Sequence, residues 1–313
     1  MGSVLMAKIK ISTDFNPEAD FILHEGDCLK LISEIPDNFV KLIVTSPPYN
    51  LGKDYEEKIE LKEYIKQQKS VIKECARILH DNGSICWQVG NFVNNSEIVP
   101  LDIVLHPIFH SLKLHLRNRI IWHFGHGLHA SKRFSGRYEV ILWYTKNEDY
   151  TFNLDSIRIP QKYPNKKHHK GPNKGKLSCN PIGKNPSDIW EIPNVKANHV
   201  EKTIHPCQFP IELIERLVLS LTNEGEWVFD PFIGVGSTAL AALKNNRRAI
   251  GAEIMPKYVK VLMDRIKSAE KGELRVRPVE RMIYDPKNPN NIPPQFIEIH
   301  PVNCKQTEFL DKE

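Results

Sequence analysis

One strand–turn–helix segment constrains the fold more than any other part of the chain. An apolar run at residues 226–230 ends in Asp230, a turn with two glycines follows, and residues 237–244 carry a helical pattern. Glycines let a backbone approach a ligand closely, and a helix N-terminus offers unpaired N–H groups. A second apolar run at residues 248–253 ends in Glu253, about 20 residues after Asp230, where doubly wound folds bind ribose hydroxyls. The segment predicts a nucleoside-cofactor site. A tight strand-to-helix turn that binds no ligand is the alternative, and it would explain the glycines but not the second carboxylate.

Short β-branched or aromatic runs alternate with amphipathic stretches along the rest of the chain. They predict strands at residues 21–24, 40–45, 83–89, 119–124, 139–145, 226–230 and 248–253, and helices at residues 61–79, 210–221 and 237–244. Strands that alternate with helices form parallel sheets covered on both faces. The predicted fold class is therefore α/β, with a doubly wound, mostly parallel seven-stranded sheet.

The composition excludes several classes of protein. Of the 313 residues, 41% are hydrophobic and 26% are charged, which excludes a wholly disordered or fibrous chain. No apolar run has the roughly 18 uncharged residues of a membrane span, and no secretion signal follows Met1. The six cysteines form no CxxC pair, which argues against a zinc site and is typical of a reducing compartment. We therefore expect a cytoplasmic protein with no membrane contact and no bound metal.

A second motif follows the predicted strand at residues 40–45. The strand runs directly into Ser46, Pro47, Pro48 and Tyr49. Two consecutive prolines remove two N–H donors, keep their carbonyls as acceptors and restrict the backbone. The Ser46 hydroxyl and the Pro47 carbonyl could accept hydrogen bonds from a planar amine while the Tyr49 ring stacks on it. The same four residues would also suit an ordinary surface turn.

Residues 158–184 differ from the rest of the chain. They contain eight Lys or Arg residues, no Asp or Glu, two adjacent histidines and scattered Pro, Gly and Asn. This composition predicts an inserted basic loop region. After residue 271 the chain becomes rich in Pro and Asn, which predicts an extended tail.

Together the two motifs resemble those of the S-adenosylmethionine-dependent DNA amino-methyltransferases, which methylate an amino nitrogen of a base. The catalytic motif of that family, Asp/Asn/Ser-Pro-Pro-aromatic, is matched by residues 46–49, and its cofactor motif, Asp-Pro-Phe-x-Gly-x-Gly-Thr/Ser-Thr, by residues 230–238. The catalytic motif comes first and the basic insertion lies between the two, which is the order of the β group. Residues 25–29, 183–190 and 205–210 agree as well, so the resemblance covers about residues 20–268.

The resemblance implies a Rossmann-like methyltransferase fold, S-adenosyl-L-methionine as the cofactor, and a role for each matching residue. The catalytic residues would be Ser46, Pro47, Pro48 and Tyr49, and the cofactor-binding residues would be Asp27, Asp230, Phe232, Gly234, Gly236, Ser237, Thr238 and Glu253. The chain would divide into a catalytic half (20–150), an inserted basic target-recognition region (151–204), a cofactor-binding half (205–270) and a C-terminal tail (271–313). Family members often have His-Pro-Thr-Gln-Lys-Pro where this chain has Cys207 and Phe209, so the contact made there stays open.

Double-stranded DNA is the substrate that the resemblance implies. A cognate restriction endonuclease as a partner and a homodimer as the assembly are compatible with it, and both stay open. Cations without anions favour a groove that holds a phosphate backbone. The predicted DNA-binding residues are Arg133, Arg137, Lys166, Lys167, Lys170, Lys174 and Lys176. Tyr163 and Trp190 are candidate base-contacting aromatics.

The target base is predicted by resemblance alone. Serine at the first catalytic position and Phe209 in place of the lysine resemble the cytosine-N4 members of the family, so we favour cytosine N4. The stretch that follows Tyr49 looks equally at home among adenine-N6 enzymes, and both catalytic oxygens are acceptors that would suit either base.

Four other interpretations are weaker. Residues 206–208 look like the nucleophile motif of cytosine-C5 methyltransferases, but they precede the cofactor glycines, so we expect Cys207 to be a small buried residue. A nicotinamide-dependent oxidoreductase would need a full G-x-G-x-x-G pattern, which the glycine turn lacks. A silent DNA-binding protein on the same fold stays open. His123, His126 and His129 could suggest metal, but a DNA-facing or solvated loop is favoured.

Overall fold

The protein, described from a computed structural model, is built on a nine-stranded sheet. The structure describes residues 8–53, 56–94, 97–125, 127, 129–161, 163 and 166–277. Its main sheet contains β1 (Ile11–Ser12), β2 (Phe21–Glu25), β3 (Val40–Thr45), β4 (Leu79–Val89), β7 (His115–His123), β8 (Tyr138–Thr145), β9 (Ile189–Glu191), β10 (Trp227–Asp230) and β11 (Arg248–Glu253). A separate hairpin pairs β5 (Asn91–Asn94) with β6 (Glu97–Pro100).

The strand order is β1-β2-β11-β10-β3-β4-β8-β7-β9. Every neighbouring pair is parallel except the two that involve β8, which runs antiparallel to β4 and β7. The α/β class and the mostly parallel sheet are therefore confirmed, and all seven predicted strands are present. The predicted count of seven was wrong because β1 and β9 add two edge strands, of two and three residues, that are too short to show a periodic pattern.

Helices cover both faces of the sheet. The helices are α1 (Cys28–Glu34), α2 (Leu61–Ile78), α3 (Leu101–Ser111), α4 (Ile211–Leu221), α5 (Ser237–Lys244) and α6 (Pro256–Glu270). The first three bury Leu31, Ile72 and Phe109 in one apolar cluster, and the last three bury side chains such as Leu217 and Leu262 in another. This two-sided covering is the doubly wound arrangement, and none of the described helices is long and apolar enough to cross a membrane.

The order of connections changes direction between β3 and β10. From β3 the chain passes through α2 to β4 on one side, and from β10 it passes through α5 to β11 on the other side. In open α/β sheets, ligands bind in the crevice that such a switch point leaves beyond the carboxyl ends of the strands. Both motifs found in the sequence follow these two strands, so the fold brings them together although they lie far apart in the chain.

The predicted insertion begins beside α4 and contributes β9 to the main sheet. A 3₁₀ turn at Leu154–Ile157 follows β8, and the Asn153 N–H donates to the Ser220 carbonyl of α4 over 2.7 Å. A bridge between Ile159 and Lys184 closes the basic loop just before β9 begins. Most of the predicted tail, residues 278–313, lies outside the described residues.

We expect Phe109→Ala to destabilise the fold by about 3–5 kcal/mol, because a buried aromatic would be replaced by a cavity. The Phe109 ring is fully buried, stacks on Tyr144 at 4.3 Å between centroids, and meets the edge of Trp87 at 5.8 Å. The free energy of unfolding in urea measures the loss. Phe134→Ala is the matched control, because that ring is fully exposed, and its effect should stay within about 0.5 kcal/mol. Equal effects of the two variants would contradict the packing described here.

Candidate active site

A cavity of about 430 Å³ opens at the switch point between β3 and β10. Its volume falls in the range of about 300–1,000 Å³ that is usual for small-molecule sites. The predicted site residues that line it are Asp27, Ser46, Pro47, Pro48, Tyr49, Phe232, Gly234, Ser237 and Glu253. Three others, Asp230, Gly236 and Thr238, lie behind this lining. The structure thus brings the two motifs to one cavity.

Asp230 holds the cavity wall together. Its buried carboxylate accepts hydrogen bonds from the Thr45 hydroxyl at 2.5 Å, the Thr238 hydroxyl at 2.6 Å and the Phe232 N–H at 3.0 Å. Burial raises the pKa of this carboxyl to about 6, although the three hydrogen bonds favour the charged form. Since Thr45 precedes Ser46, Asp230 joins the end of β3 to the glycine turn.

The two glycines of the turn have different surroundings. Gly234 lines the cavity with a φ of 53°, in the left-handed region that favours glycine, and a Cβ there would lie 3.5 Å from His205 Nε2. Gly236 has a φ of 82°, and a Cβ there would lie 2.6 Å from Leu262 Cγ. Gly234 therefore belongs to the cavity surface, and Gly236 allows the turn before α5 to pack closely on Leu262 of α6.

Two acidic side chains line the cavity at the ends of adjacent strands. Glu253 is the last residue of β11 and pairs in register with Glu25, the last residue of β2. Asp27 follows Glu25 by two residues. Asp27 is the exposed N-cap of α1 and accepts from the Leu29 N–H at 2.9 Å. Glu253 is half-buried, which raises its pKa, and accepts from the Met255 N–H at 2.8 Å. Parallel pairing of β2 with β11 thus places both carboxylates beside the cavity.

The Ser46 loop is rigid and partly buried. Pro47 and Tyr49 are buried, and the Tyr49 hydroxyl lies 2.9 Å from Ser46 Oγ. The Tyr64 hydroxyl of α2 donates to the Pro48 carbonyl over 3.0 Å. Among the described residues, no donor reaches the Pro47 carbonyl. The loop is therefore part of a cavity wall and not an ordinary surface turn.

A partly buried acid on β8 extends the contacts of Tyr49. The Tyr49 hydroxyl donates to Glu139 Oε2 over 3.2 Å, and the Gln88 side-chain amide donates to the same oxygen. Burial raises the pKa of the Glu139 carboxyl to about 7, against the effect of these two hydrogen bonds. Sequence reasoning missed Glu139. The available signal was an acidic residue that opens an otherwise apolar strand.

The segment at residues 205–210 also lines the cavity. The His205 ring packs against Tyr258 at 4.5 Å between centroids, and burial lowers the pKa of His205 to about 4, so it is neutral near pH 7. Phe209 and Cys207 line the cavity beside it. The expectation that Cys207 is buried was wrong, because the segment passes over the mouth of the cavity and leaves this side chain exposed. The sequence motif at residues 205–210 indicates this segment, but no pattern in the sequence indicates a role for His205 or Tyr258.

The predicted DNA-contacting arginines lie on a loop at the same edge of the sheet. Residues 124–137 join the carboxyl end of β7 to β8, where His123 pairs with Tyr138. Arg133 is exposed, and Arg137 is half-buried, with its guanidinium 3.5 Å from His129 Nδ1. His126 lies outside the described residues. This loop leaves the sheet at the edge where the cavity opens.

The predicted lysines lie elsewhere. Lys166, Lys167, Lys170, Lys174 and Lys176 are all exposed on the basic loop, which backbone bridges at 167–177 and 168–174 hold in a hairpin-like shape. The two ends of the basic loop meet at the Ile159–Lys184 bridge, close to the amino end of β9. The cavity opens at the carboxyl ends of the parallel strands, so the sheet does not place the ends of this loop beside the cavity. Tyr163 is exposed, whereas Trp190 is buried under the Arg216 guanidinium at 4.9 Å and offers no ring face to a base.

Comparison with known proteins gives the family directly. A family model described as DNA methylase, for N6 and N4 methyltransferases, matches residues 40–264. The type II methyltransferase M.BglII from Bacillus subtilis is 53% identical over 240 residues, which cover 76% of this chain and 67% of the relative.

Solved structures share the fold. The PvuII DNA methyltransferase, which is cytosine-N4-specific, has a TM-score of 0.64 at 19% identity, over 86% of this chain and 96% of that chain. A Thermus thermophilus protein assigned as a DNA modification methylase, in complex with S-adenosyl-L-methionine, has a TM-score of 0.57 at 27% identity, over 80% of this chain and 94% of that chain. Since the family model spans most of the chain that forms this sheet and this cavity, the protein belongs to the N6/N4 family of DNA methylases.

Proposed function

We propose that the protein transfers a methyl group from S-adenosyl-L-methionine to the exocyclic amino group of a base in double-stranded DNA, with N4 of cytosine as the favoured acceptor. One observation carries the proposal. The Ser46–Tyr49 loop and the glycine turn after Asp230 line the same cavity, although more than half of the chain separates them in sequence. A cofactor held by one wall would therefore face the acceptor oxygens of the other.

The chemistry of the cavity suits this cofactor. Asp27 and Glu253 present carboxylate groups that can accept hydrogen bonds from ribose hydroxyls. Phe232 and Ile254 offer apolar surface for the adenine ring, and Ile254 is 64% exposed. When bound, S-adenosyl-L-methionine supplies an electrophilic methyl group. Asp230, Gly236 and Thr238 would act indirectly by holding the turn in shape.

The catalytic wall would orient the amine. Ser46 Oγ and the Pro47 carbonyl are acceptors that draw on the two amino hydrogens, which directs the nitrogen lone pair away from them. The Pro48 carbonyl already accepts a hydrogen bond from the Tyr64 hydroxyl. Ser46 Oγ and the Pro47 carbonyl are therefore the pair of acceptors that the loop offers to the amine. Positioning of this kind lowers the barrier because the orientation is arranged before the reaction.

The target base must leave the helix first. A base inside a duplex hides its amino nitrogen, and turning it out costs a few kcal/mol. Contacts between cations and phosphates offset that cost. We assign them to Arg133 and Arg137 at the cavity edge and to the lysines of the basic loop farther along the duplex. The M.BglII relative is a type II methyltransferase, which supports a role beside a cognate restriction endonuclease.

The choice of cytosine depends on Ser46 and Phe209. These two residues resemble the cytosine-N4 members, and both now line the cavity. The PvuII neighbour is cytosine-N4-specific but only 19% identical, so it supports the fold and not the base. Adenine N6 is the alternative.

The first test is to express the gene in a host that lacks DNA methylation and to sequence its DNA with detection of modified bases. We expect N4-methylcytosine at one recognition sequence. Detection of N6-methyladenine would show that adenine N6, and not cytosine N4, is the acceptor. Unmodified DNA, together with calorimetric binding of NAD and not of S-adenosylhomocysteine, would overturn the proposal.

Ser46→Ala should lower the single-turnover rate about 10- to 100-fold, because one acceptor for the amine is lost. Binding of S-adenosylhomocysteine should change less than about twofold, since the cofactor wall is untouched. Ser70→Ala is the control, because Ser70 lies exposed on α2. Normal turnover of Ser46→Ala would show that the catalytic assignment is wrong.

Replacing Lys166, Lys167 and Lys170 with Gln should weaken DNA binding and reduce the slope of log K against log salt by up to about 0.9 per lost phosphate contact. Affinity measured at several salt concentrations provides the slope. The matched variant replaces Lys260, Lys267 and Lys271, which are exposed on and just after α6. Equal slopes in wild type and the first variant would remove the basic loop from the DNA interface.

A further inference from the structure

A chain of hydrogen bonds leads from the catalytic loop to the partly buried carboxylate of Glu139. Ser46 Oγ lies 2.9 Å from the Tyr49 hydroxyl, which lies 3.2 Å from Glu139 Oε2. Gln88 donates to the same carboxylate oxygen. Gly90 makes room for the chain, because a Cβ there would lie 3.1 Å from the Tyr49 ring and 3.5 Å from Glu139 Cγ.

The charge of Glu139 determines which way these hydrogens point. A carboxylate only accepts, and a tyrosine hydroxyl has one hydrogen, so the Tyr49 hydrogen must go to a charged Glu139. The Tyr49 oxygen then accepts the Ser46 hydrogen, and Ser46 turns its lone pairs to the cavity. A protonated Glu139 can donate to Tyr49 instead, which reverses the chain and turns the Ser46 hydrogen toward the cavity. A donor there opposes the amino hydrogens of a base.

We propose that Glu139 is a positioning residue for methyl transfer, which holds Ser46 as an acceptor through Tyr49 and receives the surplus proton of the product along the same chain. The proposal rests on the proposed function. Residues on three different strands or their connections, and not one local motif, would then make up the catalytic unit.

The proton transfer balances in atoms and charge. A new carbon–nitrogen bond leaves the amino nitrogen with one hydrogen too many and a positive charge. That nitrogen–hydrogen bond breaks as the proton joins Ser46 Oγ, the original Ser46 proton moves to Tyr49, and the Tyr49 proton moves to Glu139. Ser46 and Tyr49 end neutral, Glu139 ends protonated and loses the proton to water after product release, and no electrons are gained or lost.

The surroundings of Glu139 suit an acceptor that works near neutral pH. Burial raises the pKa of its carboxyl to about 7, the value at which a group can both take and release a proton efficiently. Burial and the Glu139 charge raise the pKa of Tyr49 well above its usual value, so Tyr49 passes a proton without staying ionised.

The side chains that the structure places around Glu139 are neutral. Gln88 faces Glu139 from β4, Trp122 is its partner in register on β7, and both are neutral. Tyr49 faces Glu139 from the loop after β3, and Tyr64 of α2 contributes to the raised pKa of Tyr49. Among the described residues, no charged side chain contributes to the raised pKa of Glu139. Asp230 has a raised pKa of about 6 in the same cavity wall, so the Glu139→Gln variant is what separates the titration of Glu139 from that of Asp230.

The experiment is the pH profile of single-turnover methyl transfer by the full chain with saturating DNA and cofactor. Wild type should lose activity as the pH falls below about 7, because Glu139 becomes protonated. Glu139→Gln should be about 10- to 100-fold slower at pH 8 and flat across this range, with S-adenosylhomocysteine binding unchanged within about twofold.

Tyr49→Phe provides an independent break in the chain. It should give the same flat profile, and Glu139→Gln added to it should cost no further rate, since both changes interrupt one unit. Glu148→Gln is the control, because Glu148 is exposed and pairs with Arg117.

Two results would overturn the proposal: an unchanged profile near pH 7 in both variants, or a rate loss that adds fully in the double variant. A wild type that methylates no DNA would contradict the proposed function itself. An active wild type with unaffected variants would remove only the role of Glu139.

Discussion

The site depends on the hydrogen bonds made by one buried carboxylate. Asp230 receives donors from Thr45 at the end of β3, from Thr238 in α5 and from the backbone of Phe232. Hydrogen bonds to a charged group contribute about 1.5–3 kcal/mol each, whereas a buried carboxylate without partners is strongly destabilising. These three bonds therefore connect the two walls of the cavity. They fix the distance across the cavity between Ser46 on one wall and the glycine turn on the other.

The order of the strands explains why this connection is needed. β3 and β10 are neighbours in the sheet, yet the catalytic strand comes early in the chain and the cofactor strand comes late. No short loop could keep two such distant segments in register. Backbone pairing of Leu42 and Ile43 with Val228 and Phe229 aligns the strands, and the Thr45–Asp230 contact continues that alignment into the loops.

Much of the fold could be predicted from the sequence because its signals are local. Strands such as Val40–Thr45 are short runs rich in apolar and β-branched residues, and the glycine turn and the proline motif are short and contiguous. The edge strand β9 was missed because three residues carry no period. Roles that depend on distant contacts were also missed. Glu139 gains its raised pKa from burial beside Tyr49 and Gln88, and Trp190 is hidden by Arg216, and neither fact can be read from neighbouring residues.

The exposed thiol at the mouth of the cavity makes the site chemically addressable. Cys28, Cys75 and Cys86 are buried, which raises the pKa of each thiol and keeps the reactive thiolate scarce. Among the described cysteines, Cys207 is the exposed one, and it shares the cavity lining with Gly234. An alkylating reagent would thus modify Cys207 before the buried cysteines and narrow the cavity entrance. A small fluorophore attached to Cys207 would report whether the entrance is occupied.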